Sequence, residues 1–379
     1  MRITCVIDNL DSGGAQRQMA MLATLLKARG HIVRLLTYYP HDFYKPSLDK
    51  AGVPVEYVPH RGKLHRIWAM RKAIRAGRPQ VVIAYLQTPS IIAELASLPR
   101  CDYALIVSER NQDHPMCAER MRGVSLFLHR LADAVVTNSR AQEVNIRKIA
   151  PKLAPRVTTI LNCVDLHQFR PLPMTSNHSH GPVRILCVGR FDVQKNYLRL
   201  VEAAEIVSRW HPEMNVEVDV YGCNYFVDGK PSALSGEFLK LQDVLKRSSV
   251  GARFHLHDPV RDVVTLYQQA DVLCLPSLWE GCPNVVCEAM ACGRPVLASR
   301  VGDNPVLVED GVNGFLFDPM RPDDIASAIC GFAKLSHQER VAMGNAGRQR
   351  AERLLSPERF VGQYEQLIDA LERRSSRRA

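Results

Sequence analysis

Short apolar runs alternate along this chain with amphipathic stretches of helical period, and the alternation restarts once. The first run, residues 3–9, leads into a Gly-containing loop and a helical stretch over 15–28 that Gly30 ends. Strands are predicted at 31–38, 53–58, 80–85, 104–107 and 134–137, with helices at 64–77, 90–97 and 124–132 between them. Strand and helix alternating through short connections imply parallel βαβ units in a doubly wound sheet. Residues 171–182, Pro-Leu-Pro-Met-Thr-Ser-Asn-His-Ser-His-Gly-Pro, are polar, Pro-rich and aperiodic, and read as a linker. Strands then follow at 183–188, 216–221, 253–257, 272–275, 295–298 and 314–317, with a helix at 198–209. A polar stretch over 224–236 reads as a surface loop. Ser356-Pro357-Glu358 is a helix start, with Ser as N-cap and Pro at the first turn, leading into a helix over 357–374. The expectation is an α/β protein of two Rossmann-like doubly wound domains facing across a cleft. The domains span 1–172 and 173–355; the helix in 356–379 packs back on the first and ends in a basic tail.

Composition adds limits. No stretch of the 379 residues approaches the roughly 20 apolar residues that span a bilayer. The N-terminal apolar run is short and broken by Asp8, unlike the apolar region of a signal peptide. The 11 cysteines are odd in number and form no C-x-x-C pair. Cys282, Cys287 and Cys292, five apart, suit no usual zinc site, and His178 and His180 lack companion ligands. Reduced thiols of a cytoplasmic protein without a bound metal are expected.

Charge is uneven. Residues 1–180 hold 25 Lys/Arg against 13 Asp/Glu, whereas residues 181–379 hold 24 against 26. A basic half implies an anionic partner. Residues 60–78 concentrate it, with seven Lys/Arg, no acid, and Leu64, Ile67, Trp68 and Ile74 among them. Two readings stand: an interfacial helix on anionic lipid, or a solvated helix whose apolar residues face the sheet. Nucleic acid is disfavoured because the aromatic residues are not interleaved in a stacking pattern.

Three segments carry candidate chemistry. In Glu280-Gly281-Cys282-Pro283-Asn284-Val285-Val286-Cys287-Glu288, a strand runs into a loop and Pro283 opens a helix that Gly293 closes. Amide N–H groups from Gly281 to Val285 at that helix start favour anionic oxygens, and the two carboxylates can accept sugar hydroxyls. In Gly189-Arg190-Phe191-Asp192-Val193-Gln194-Lys195-Asn196, a small Gly and two cations five apart suit a diphosphate. In Gly13-Gly14-Ala15-Gln16-Arg17, glycines admit left-handed backbone and close approach of a ligand, beside a helix N-terminus. Each has a bland alternative: a surface helix with two acids, two solvated cations, a plain tight turn.

The string E-G-x-P-N-x-x-x-E-A-M-A-x-G-x-P-V resembles the E-x7-E signature of GT-B retaining glycosyltransferases of group 1 (family 4). The resemblance extends over about residues 2–372, with G-R-x-x-x-x-K-N and G-G-A-Q-R in the expected order. It implies that Glu288 binds the nucleotide ribose and that Glu280 with the amides of Cys282 to Val285 holds the donor sugar. Arg190 and Lys195 then neutralise the departing diphosphate, and Gly13, Gly14 and Gly189 belong to the donor site. Where many relatives place a His, this chain has Ser108-Glu109-Arg110-Asn111; Glu109, Arg110 and Arg17 are candidate donor or acceptor contacts.

The resemblance therefore implies a metal-independent retaining transferase without a cofactor. It would move a sugar, a UDP-hexose or UDP-N-acetylhexosamine by family frequency, to a saccharide or lipid-linked saccharide in cell-surface polysaccharide or lipopolysaccharide synthesis. The expected place is the cytoplasm, peripheral on the inner face of the membrane. Lys195→Ala should then cut transfer without unfolding the chain. Two alternatives remain open: a sugar-nucleotide epimerase or phosphorylase of the same fold, and a non-catalytic nucleotide-sugar or membrane-surface binding protein.

Overall fold

The computed structural model describes residues 1–99, 102–110, 119–172, 181–227, 230–232 and 235–376. It divides into two compact units, Met1–Cys163 with Pro357–Ala379, and Val164–Ser356. The division falls at Cys163, upstream of the expected linker; most of that linker, with His178 and His180, lies outside the described residues, as do Asn111 and His114.

The first unit is built on seven parallel strands: β1 Arg2–Val6, β2 Ile32–Thr37, β3 Val55–Tyr57, β4 Val81–Tyr85, β5 Ala104–Glu109, β6 Ala134–Thr137 and β7 Val157–Thr159. Their order is β3-β2-β1-β4-β5-β6-β7. All five residues of β4 are buried, as a central strand covered on both faces requires. One face packs Met19, Leu22 and Leu26 of helix Gly14–Ala28 together with Phe360, Tyr364 and Ile368 of helix Pro357–Ser376. The other carries Met70, Ile74, Ile92 and Ala96 from helices Gly62–Ala76 and Gln87–Ser97.

β1 stops short of the expected residue 9. The Asp8 carbonyl instead accepts the amides of Tyr38 (3.1 Å) and Tyr39 (2.9 Å), which bends the chain out of the ladder. The expected helix over 124–132 is also shifted: an α-helix runs Glu119–Leu128 and a single 3-10 turn, His129–Leu131, follows.

The second unit repeats the scheme with β8 Val183–Val188, β9 Val216–Tyr221, β12 Phe254–His257, β13 Val272–Leu275, β14 Val296–Ser299 and β15 Gly314–Phe317. Between β9 and β12 the expected surface loop contains a small antiparallel hairpin, β10 Phe226–Val227 with β11 Lys230–Pro231. The sheet order is β12-β9-β8-β13-β14-β15, all parallel. Chain order therefore reverses between β8 and β13. In open α/β sheets a ligand crevice lies at such a switch point, beyond the carboxyl ends of the strands.

Candidate functional site

The loops that leave β8 and β13 meet at this switch point, and they carry the second-unit residues picked out from the sequence. Gly189 follows β8 directly. A Cβ there would sit 2.9 Å from Lys195 Cε and 3.1 Å from the Tyr197 hydroxyl, so the position is kept small by its own loop. Gly222, after β9, lies against the Gly189 carbonyl, where a Cβ would approach within 1.8 Å of rigid backbone. Asp192 closes the 3-10 turn Val193–Lys195 by accepting the Lys195 amide at 3.2 Å. Asn196 takes a left-handed φ of 59°, tolerable for Asn, and its side-chain amide donates to the carbonyls of Pro276 (3.0 Å) and Pro319 (2.9 Å).

Two further bonds stitch the loops together: Leu278 N–H to Gln194 O (2.8 Å) and Gln194 Nε2 to Trp279 O (2.8 Å). This brings Lys195 Nζ within 2.6 Å of Glu280 Oε1, with side chains only 13% and 9% exposed. Arg190 is the open cation: 59% exposed, with Asp192 Oδ2 3.3 Å from its Nε. Spacing alone makes Arg190 and Lys195 equivalent. They differ: Lys195 is already neutralised by Glu280, while Arg190 is held at the surface and can turn to a ligand.

Beyond Glu280 the chain enters helix Asn284–Ala291, with Pro283 at the N-cap. Its first internal bond is Cys287 N–H to Pro283 O, so the amides of the opening turn lie at the helix's positive end. The helix ends in a Schellman motif: Gly293 at φ 67°, with Gly293 N–H to Met290 O and Arg294 N–H to Ala289 O. Gly281 O accepts the Asp303 amide at 3.0 Å, and Gly302 (φ 54°) backs the loop so closely that a Cβ would lie 2.0 Å from Glu280 O. Glu288, one turn into the helix, is buried and accepts the Tyr267 hydroxyl at 2.8 Å. Cys282 and Cys287 are buried, reduced cysteines with sulfurs 3.9 Å apart.

Motif reading misses the floor of this region. Ser277 Oγ and the Tyr197 hydroxyl are buried without a hydrogen-bond partner among the described residues. Burial pushes the Tyr197 phenol well above its ordinary value, so it is a neutral donor. Sequence marks Ser277 only as a strand end and Tyr197 not at all, since a Tyr opening a helix looks like ordinary core. A cavity of about 350 Å³ opens beside the same loop, lined by Phe191, Asp192, Tyr197, Arg199, Glu202 and Leu278. Its lining omits Arg190, Lys195, Glu280 and Glu288, so these four charged groups lie outside that cavity.

The first-unit candidates separate. Gly13 caps helix Gly14–Ala28 with φ −72°, and Gly14 is helical, so neither uses the left-handed freedom expected of them. The constraint at Gly13 is instead the Gln16 side chain, whose amide oxygen would lie 2.2 Å from a Cβ. Arg17 Nε reaches the Tyr44 hydroxyl at 3.3 Å. Arg110 is buried, stacked 3.8 Å over the Tyr85 ring, and donates to Ser108 Oγ, Asn162 Oδ1 and the Tyr364 hydroxyl. It is an interior cation, bonded to these three oxygens. Glu109 bonds His129, at 2.7 Å.

Two family models match consecutive parts of the chain: a glycosyl transferase 4-like domain over residues 13–163 and glycosyl transferases group 1 over residues 182–334. The chain belongs to the group 1 glycosyltransferases. The D-inositol 3-phosphate glycosyltransferase of Corynebacterium jeikeium is 34% identical over 160 residues, 41% of this chain and 36% of that protein. A Campylobacter jejuni alpha-1,4-N-acetyl-D-galactosaminyltransferase, named for a diNAcBac-PP-undecaprenol-linked GalNAc acceptor, is 26% identical over 298 residues, 76% of this chain and 77% of its own. The chain spans about half or less of the length of several inositol-phosphate relatives it matches. Among solved structures, Anabaena HepE in complex with UDP-glucose aligns with a TM-score of 0.83 at 19% identity, over 98% of this chain and 100% of that one. The lipopolysaccharide outer core galactosyltransferase WaaB aligns with a TM-score of 0.73 at 15% identity, over 98% and 99%. Two parallel-sheet α/β units matching these structures give the group 1 glycosyltransferase the GT-B fold.

Proposed function

We propose that the protein transfers a sugar from a nucleoside diphosphate to a saccharide acceptor, and that the second unit holds the donor. One observation carries this: Arg190, the Lys195–Glu280 pair and the N-terminal end of helix Asn284–Ala291 converge at the sheet's switch point. Such a group can bind a diphosphate with backbone amides and a cation fork, while Glu280 accepts a sugar hydroxyl. As charge builds on the leaving diphosphate, Lys195 exchanges part of its bond to Glu280 for phosphate oxygen and Arg190 swings inward. That is electrostatic stabilisation of the developing charge by two cations of the same loop. A metal is not required in this reading, and activity should survive EDTA.

A UDP-sugar is the donor proposed, supported by the UDP and UDP-glucose complexes of the HepE neighbour. A lipid-linked saccharide is the acceptor proposed, supported by the name of the Campylobacter relative and by the basic first unit. No helix among the described residues is long and apolar enough to cross a membrane. Helix Gly62–Ala76 nevertheless turns Leu64 (84% exposed) and Trp68 (59% exposed) outward, one turn apart, beside the exposed Lys63 and Lys72. That favours contact with an anionic membrane face, on the cytoplasmic side, over a helix whose apolar residues all face the sheet. The test is a thermal-shift and donor-hydrolysis panel of UDP-glucose, UDP-galactose, UDP-N-acetylglucosamine and GDP-mannose. Stabilisation and turnover by one UDP-sugar are expected; silence across the panel would sink the reading.

A further inference from the structure

Three ionisable side chains of the first unit form a relay that donor binding does not use. Glu94, in the otherwise apolar middle of helix Gln87–Ser97, is fully buried, and so is His129. His129 Nδ1 lies 2.6 Å from Glu94 Oε1 and His129 Nε2 lies 2.7 Å from Glu109 Oε1. The Ser125 hydroxyl adds a bond to the same Glu109 oxygen at 3.3 Å. Glu109 ends β5 with its side chain 18% exposed, so the relay runs from the interior to the carboxyl edge of the first sheet. That edge is where parallel α/β sheets bind ligands.

Both ring nitrogens face carboxyl oxygens, and with both carboxyls ionised both nitrogens carry hydrogen and the ring is an imidazolium. Burial alone would lower the His129 value; the hydrogen bonds to Glu109 and Glu94 outweigh it and push it up to about 9. Burial raises the Glu94 carboxyl, and Glu94 Oε2 has no partner among the described residues. Among the described residues, the charged groups facing the ring are Glu94 from helix Gln87–Ser97 and Glu109 from β5; the helix before it contributes Ser125. Such an arrangement is costly beside apolar packing of equal volume. A static brace between helix and strand would not need its last member at the ligand edge.

We propose that Glu109 is the carboxylate that receives a hydroxyl of the saccharide acceptor, with His129 and Glu94 as positioning residues that fix its orientation and its charge. The inference rests on the glycosyltransferase reading. A carboxylate offers only acceptor lone pairs, so it selects hydroxyl donors and disfavours an anionic group at that point. The imidazolium and Ser125 hold one oxygen, which sets the plane of the carboxylate before the acceptor arrives. Deprotonating His129 leaves one of the two carboxylates facing a lone pair, and the aim of Glu109 is lost.

The experiment uses the full chain with the same four nucleotide sugars, hydrolysed to water or transferred to octyl glucoside and octyl N-acetylgalactosaminide. Glu109→Gln should melt somewhat lower, because the buried imidazolium loses a carboxylate partner, yet below its melting temperature it should hydrolyse donor within about twofold of the wild type. Its transfer should fall about 30-fold, chiefly through the acceptor KM, as for a lost charge-assisted hydrogen bond. Glu109→Asp should restore part of the loss. Glu94→Gln, which keeps the shape of the buried side chain, should shift the alkaline limb of transfer from near pH 9 toward the ordinary His range while leaving the hydrolysis profile in place. Transfer by Glu109→Gln within twofold of wild type, or hydrolysis falling in step with transfer, overturns the proposal. A wild type that neither hydrolyses nor transfers removes the glycosyltransferase reading and this inference with it.

Discussion

At the scale of the residue, the Lys195–Glu280 ion pair changes what a mutation can report. Its side chains are 13% and 9% exposed, so removing the ammonium strands a nearly buried carboxylate. Breaking such a pair costs about 3 kcal/mol or more. Lys195→Ala should therefore lower the melting temperature as well as transfer, contrary to the expectation from sequence that it would spare the fold. Arg190→Ala is the cleaner probe. Arg190 is 59% exposed and its contact with Asp192 lies at the surface, so its loss should leave the melting curve unchanged. Steady-state transfer should fall about 100-fold if Arg190 stabilises the departing diphosphate. Gly302→Ala should impair donor binding from behind, because its left-handed φ and the Glu280 carbonyl 2.0 Å from the new Cβ would push the loop forward. A thermal shift with UDP checks this; undiminished stabilisation would show that the loop absorbs the strain.

At the scale of the element, strands are legible because they are short apolar runs bounded by Gly, Pro and polar residues. Helices are less so. Helix His337–Leu355 begins with a full capping box, Ser336 with Glu339, yet buries Met343, Gly344, Gly347 and Ala351. Small residues on the buried face let it pack closely on its neighbour and erase the apolar stripe that periodicity looks for. Helix Arg140–Ile149 buries only Gln142 and Ile146, and its signs in sequence are the Ser139 cap and the Glu143–Arg147 pair one turn apart. The motif loops of the second unit can be read from their spacing, but the Lys195–Glu280 bond cannot, since it joins positions 85 residues apart. Glu94 does carry a signal in sequence: a lone acid amid Ile91, Ile92, Ala93, Leu95 and Ala96 must find a buried partner. Helix Gly62–Ala76 looks basic throughout, whereas Arg71 and Arg75 donate to the carbonyls of Ala96 and Leu98, and Arg66 stacks over Tyr38. The proposed membrane face thus rests on Lys63, Lys72, Leu64 and Trp68. Co-sedimentation with phosphatidylglycerol vesicles should fall at least about fivefold in Leu64→Ser/Trp68→Ser and weaken with salt; equal binding by the double variant would remove that face.

At the scale of the whole molecule, charge follows the two units. The first holds 29 Lys/Arg against 16 Asp/Glu and the second 20 against 23. A basic first unit suits a phosphate-bearing or membrane-associated acceptor, and the amino-acid sequence alone makes the unevenness plain. The pH response belongs to the first unit too. Because the folded His129 value is raised to about 9, its contribution to stability is complete below the unfolded value of about 6.5. That contribution is lost as pH climbs through about 9. The melting temperature should fall between pH 7 and 9.5, and the fall should be smaller in His129→Gln.

In the proposed function, Arg190 and the Lys195–Glu280 pair hold and discharge a nucleotide sugar. Isothermal titration of UDP into the wild type and Arg190→Ala, without metal and with EDTA present, tests it most directly. Saturable, EDTA-insensitive binding by the wild type is expected, weakened about tenfold or more in the variant, as for losing one charged phosphate contact. Equal affinity in the two proteins, or wild-type binding that vanishes with EDTA, would contradict it.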